Sequence, residues 1–170
     1  MKKIFAVALM IALMSLSAGA LAATGLGAVT TVSVTPATAE KEGSVSSTVF
    51  MCAVTLDEDG RIVTVEFDAV QPQGSFDATG AVAGEVNTAP QTKVELGEGY
   101  GMKKASPIGK EWGEQMDALE AWCTGKTAEE VLSMELDEKG KATDVDLLTG
   151  CTVHINDQLE ALRKAVDTAK

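Results

Sequence analysis

Two runs of alternating residues, Ser47–Leu56 (STVFMCAVTL) and Arg61–Val70 (RIVTVEFDAV), stand on either side of Asp57-Glu58-Asp59-Gly60. Alternation of period two suits strands that are apolar on one face only. The Asp-Gly pair accepts positive φ and makes the break a tight hairpin connection. In the second run Val63, Val65, Phe67 and Ala69 are expected on one face, opposite Ile62, Thr64, Glu66 and Asp68. A hairpin alone is marginal in water and must be covered. The chain supplies the cover as helical segments, which predicts an α+β fold: a small antiparallel sheet built on this hairpin and packed against two or three helices.

Upstream, residues 24–43 alternate β-branched and small side chains, and a first strand is expected over Leu26–Val34, ended by Pro36. Ser106–Gly125 reads as a helix with Ser106 as cap, Pro107 at the first helical position and Gly125 as stop. Ile108, Trp112, Gln115/Met116, Leu119 and Trp122/Cys123 form its stripe. Thr127 and Glu130 make a capping box for a short helix. Met134–Leu136 reads as a short strand before a turn at Gly140. Asp157 with Glu160 opens a last helix to about Ala169, with Leu159, Leu162 and Val166 inward. Residues 71–101, rich in glycine, read as loop with a short strand near Thr92–Leu96, and a loop of that length tends to be functional.

The chain opens MKKIFAVALMIALMSLSAGALAA, a positive start, a short apolar run and small residues, which is the layout of a cleaved signal peptide over 1–22. The run is shorter than the roughly 20 residues a bilayer-spanning helix needs, so no stable membrane insertion is expected after cleavage. The division expected is 1–22 leader, 23–46 strand and linker, and 47–170 the main domain, exported to the cell surface, periplasm or medium. Loss of Lys2 and Lys3 takes the formal charge from −11 to −13. Such a surface repels nucleic acid, and no nucleic-acid partner is expected. Cys52, Cys123 and Cys151 have no metal-ligand spacing. Cys52 on its strand and Cys123 on its stripe are expected inward as small apolar residues, without a disulfide.

Asp146-Leu147-Leu148-Thr149-Gly150-Cys151-Thr152 precedes the last helix. It resembles the Asp-x-x-(Ser/Thr)-Gly-Ala-Thr signature of the FMN-binding domain family, matching at Asp146, Thr149, Gly150 and Thr152 and departing at Cys151. The order of hairpin, helical material, motif and terminal helix is similar as well, from about Ser47 to the end of the chain, with 71–104 having no counterpart. The resemblance implies an exported flavoprotein domain. In it a flavin transferase joins FMN to Thr152 through a phosphoester, and electrons pass from a membrane-associated donor to an extracytoplasmic acceptor, with no substrate chemistry of the domain's own.

The chemistry suits those residues. Thr152 offers a hydroxyl nucleophile, Gly150 a close backbone approach with positive φ, and Thr149 a hydrogen bond to phosphate. Asp146 repels a phosphate dianion, so its part is recognition by the transferase or an Asx bond that pins the turn. Asp-x-x-Thr-Gly is also an ordinary turn, and Thr152–Ile155 also reads as a strand, with His154 on the same side as Thr152. Trp112, Trp122 and Tyr100 are candidates to stack on a flavin ring, although the tryptophans sit on the helix stripe and suit a core. Lys103, Lys104 and Lys110 are the basic cluster, open to phosphate or to acidic neighbours. The alternative function is a secreted, flavin-free binding module of the same fold.

Overall fold

The computed structural model describes residues 22–84, 86 and 89–170, so the expected signal peptide lies outside the described residues except for Ala22. Five strands form one antiparallel sheet: β1 (Ala23–Thr35), β2 (Gly43–Leu56), β3 (Ile62–Val70), β4 (Gln73–Phe76) and β5 (Val82–Ala83). β2 is its spine. β1 runs beside it from Ala23 opposite Leu56 to Thr35 opposite Ser44. The other side of β2 is divided between β3, against Val49–Leu56, and β4, against Gly43–Ser46, with β5 beyond β4. The helices are α1 (Lys93–Leu96), α2 (Trp112–Cys123), α3 (Ala128–Leu132), α4 (Val145–Leu148) and α5 (Asn156–Thr168), and 3₁₀ turns cover Gly97–Tyr100 and Met102–Lys104. The α+β architecture is the one the hairpin demanded.

The hairpin itself holds one correction. Register shifts at Thr55/Leu56, so Leu56 pairs with Ile62 while Thr55 pairs with Thr64. This bulge adds one residue to β3 and reverses the alternation beyond it. Ile62 is therefore buried at 1% exposure and Val63 faces solvent at 48%, the opposite of the period-two expectation. The connection is also not a paired Asp-Gly left-handed turn: Gly60 alone has positive φ, at 74°. Asp57 Oδ1 accepts the amides of Asp59 and Arg61 at 3.0 and 2.8 Å. The same Asp-x-x-Gly device recurs at Asp77–Gly80, joining β4 to β5, and at Asp137–Gly140, each with two amides on the aspartate. These amides hold the carboxyls of Asp77 and Asp137 below their ordinary range, with the Thr79 hydroxyl the largest influence on Asp77 and the Lys141 amide on Asp137.

One face of the sheet carries the core. Phe50, Cys52, Val54 and Leu56 of β2 and Val65, Phe67 and Ala69 of β3 pack against Trp112, Met116, Leu119 and Cys123 of α2 and Leu159, Ala161, Leu162 and Ala165 of α5. α5 lies on β1 and β2, and α2 on β3. The α5 approach is unusually close because β1 presents Gly25 and Gly27. A Cβ there would stand 1.8 Å from the Ala165 carbonyl oxygen and 2.0 Å from that of Ala161. α5 also covers the open edge of β1 at Leu26 and Ala28. Thr168 Oγ1 accepts the Leu26 amide at 3.1 Å and donates to its carbonyl at 2.9 Å, and Lys164 Nζ donates to the Ala28 carbonyl at 3.0 Å. Covered edges of this kind cannot pair with another chain.

Several elements differ from expectation: β1 and β2 are longer than expected, β2 beginning at Gly43 and not Ser47, and β4 and β5 lie in the 71–101 segment expected as loop. α2 starts at Trp112 with Glu111 at its cap, five residues late, because Gly109 turns the chain at φ 64° and Ser106 binds the Lys110 amide instead. Thr92–Leu96 is not a strand; Thr92 and Glu95 form a capping box and start α1. Met134–Leu136 reduces to one bridge, Leu136 to Ala142. α5 begins at Asn156 with Ile155 at its cap, so Asp157 does not cap it. The Thr127 and Glu130 capping box and the Gly125 stop stand as expected, Gly125 at φ 82°.

Candidate functional site

α4 is one helical turn, and it presents the motif. Its cap is Asp144, whose Oδ1 accepts the amides of Asp146 and Leu147 at 3.0 and 2.9 Å. The Asx role considered for Asp146 therefore belongs to its neighbour two residues earlier, and the Asp146 side chain is exposed. Leu147 anchors the turn in the core at 2% exposure. Thr149 is also exposed, with its hydroxyl donating to the Asp146 carbonyl at 2.8 Å.

Gly150 is buried and does not have positive φ, which corrects the conformational reason expected for it. Its need for glycine is steric: a Cβ would stand 2.5 Å from Ala118 Cβ on α2 and 3.7 Å from Lys110 Nζ. The motif thus lies flat against α2, with an ammonium beside it. Cys151 points into the core at 2% exposure, and burial pushes its thiol up from its ordinary value. Cys52 and Cys123 are likewise buried free thiols, pushed up to about 12 by desolvation. None of the three is a ready nucleophile, because the thiolate is the reactive form.

Thr152 is half-buried. Its amide and its hydroxyl both donate to Gln115 Oε1, at 2.9 and 3.2 Å. Gln115 is fully buried on α2, and its Nε2 donates to the Lys110 carbonyl at 3.2 Å and to Ser106 Oγ at 3.3 Å. These acceptors fix which way the amide points. The hydroxyl proton of Thr152 is thereby turned inward to an acceptor that cannot take it up, and the oxygen's lone pairs are left for an approaching electrophile. The segment 152–155 is not a strand, and His154 is exposed.

The remaining candidates separate. Trp112 is a core residue at 3% exposure, while Trp122 is half-buried with Lys126 Nζ 3.9 Å from its ring centre. Lys103 pairs with Glu98 at 3.5 Å and Lys104 is exposed. Among the described residues no carboxylate lies within ion-pair distance of Lys110. Tyr100 lines a cavity with Lys93. The residue missed from sequence is Gln115, hidden in the apolar stripe; its one signal was a polar side chain at an inward position.

A chlorophenol reductase of Desulfitobacterium hafniense is 38% identical to this chain over 90 residues, covering 46% of the chain and 28% of that reductase. The chain therefore spans little more than a quarter of that protein's length. No family model matches the chain, and no solved structure matches it.

Proposed function

We propose that this protein is an exported electron-transfer domain carrying FMN on Thr152, flavinylated by a transferase and reduced by a membrane-associated donor. The observation that carries the reading is the Thr152 hydroxyl fixed on buried Gln115, in a motif that Gly150 lets lie flat against α2 with the Lys110 ammonium next to Gly150. The arrangement suits a phosphoester. Thr152 Oγ forms the bond to phosphorus as the bond to the departing AMP of a flavin dinucleotide breaks. Gln115 holds the oxygen, and the hydroxyl proton passes to a base of the transferase. Lys110 offsets the phosphate charge. The Asp146 carboxylate, exposed and not an acceptor in the turn's own hydrogen bonds, is left for recognition by the transferase.

FMN would supply the one- and two-electron chemistry that no side chain here offers. Cys151 does not obstruct this reading, since its thiol faces the core and not the surface from which a transferase arrives. The redox activity named for the chlorophenol reductase is in keeping with an electron-carrying role. The domain's own part is to hold and present the cofactor, not to turn over a substrate. The test is co-expression with an active flavin transferase, followed by peptide mapping. Modification of Thr152 and its absence in Thr152→Val are expected. A colourless wild type would favour the flavin-free binding module.

A further inference from the structure

Lys93 is 8% exposed. Its ammonium lies 4.9 Å from the ring centre of Tyr100, 5.2 Å from that of Trp112 and 5.7 Å from that of Phe50. Three ring faces soften the burial of a cation. They accept none of its three N–H bonds in the way an oxygen does. Among the described residues Lys93 Nζ has no carboxylate partner and no hydrogen-bond acceptor, in a chain of net charge −11. A long cation held indoors without a partner is rare.

The backbone around it is closely determined. Thr92 bridges to Val70 of β3, caps α1 with Glu95, and the Val94 amide donates to Asp68 Oδ1 at 3.2 Å. The side chain lines a cavity of about 370 Å³ together with Gln71, Gln73, Pro90, Leu96 and Tyr100. No lining side chain is acidic. The amides offer further donors, while Pro90, Leu96 and the Tyr100 ring form an apolar wall. The lining is more polar than apolar, with Gln71, Gln73, Gln91 and Lys93 beside that wall, and convergent polar groups next to an apolar surface are what fix a ligand's orientation.

We propose that this cavity binds a small organic oxyanion, a carboxylate or phosphate carried on a flat apolar body, with Lys93 as its counter-ion. The anion supplies the acceptors the ammonium lacks, and the apolar body lies along Tyr100 and Leu96. The site is separate from the Thr152 motif and needs no flavin.

The test uses unflavinylated protein carrying Trp122→Phe, so that Trp112 is the only tryptophan. Its emission is followed on titration with benzoate, phenyl phosphate and the neutral benzamide. A saturable change with at least one anion is expected, with benzamide at least tenfold weaker. Lys93→Met keeps an unbranched side chain one atom shorter and removes the charge; Gln73→Glu places a competing carboxylate in the lining. Each should weaken anion binding at least tenfold, with folding followed by circular dichroism, and Gln73→Glu decides should Lys93→Met not fold. No saturable response to either anion, equal binding of benzamide, or anion binding undiminished in the folded variants would overturn the proposal. None of these outcomes bears on Thr152.

Discussion

Glu120 offers a quantitative test of how α2 meets the sheet. Its Oε1 accepts the Phe67 amide at 2.7 Å, on the side of β3 away from β2. Burial pushes its carboxyl up from 4.5 to about 7, against the Phe67 hydrogen bond and with help from Glu66, Asp117 and Asp68. A raised acid pKa means that the folded state holds more protons than the unfolded chain between pH 4.5 and about 7. Stability from this group is therefore present at low pH and lost as pH rises through that window. The full interval corresponds to at most about 3.4 kcal/mol, and half exposure to water reduces it to about 1 kcal/mol. Glu120→Gln keeps an oxygen for the Phe67 amide and removes the charge. In urea unfolding the variant should match the wild type near pH 4.5 and exceed it by about 1 kcal/mol at pH 8. An equal difference at both pH values would refute the burial of this carboxylate.

Other perturbations probe the packing and the motif. Gly27→Ala drives a methyl into the Ala161 carbonyl, and urea unfolding should show a loss of about 2–3 kcal/mol. Gln115→Met leaves the Thr152 amide without its acceptor; a loss of about 2 kcal/mol in thermal unfolding and slower modification of Thr152 are expected. Cys151→Ala empties a buried site, so it should cost about 1 kcal/mol of stability while leaving the extent of Thr152 modification unchanged by mass spectrometry.

The sheet was legible where alternation was long and the turn chemistry explicit, as across Ser47–Val70. What escaped was local. A single bulge at Leu56 exchanges Ile62 and Val63 between faces, and nothing in a run of β-branched residues marks it. Two signals were present in the segment taken as loop: Thr92-x-x-Glu95, a capping box, and Asp77-x-x-Gly80, the twin of the first hairpin turn. Both were obscured by the surrounding glycines. The start of α2 was misplaced because Ser106 and Pro107 satisfy the rules for a helix start, while Gly109 turns the chain first. At the site, the motif residues could be named from sequence, but their geometry could not. Gly150 is required by a neighbour on another element, and Gln115 acts through a contact 37 residues away in the chain.

The central claim concerns one oxygen atom. Intact-mass measurement and peptide mapping of the exported protein, made alongside an active flavin transferase, test it directly. The account predicts an added FMN less one water, located on Thr152, absent from Thr152→Val and retained in Cys151→Ala. An unmodified wild type beside a control domain that the same transferase does modify would contradict it.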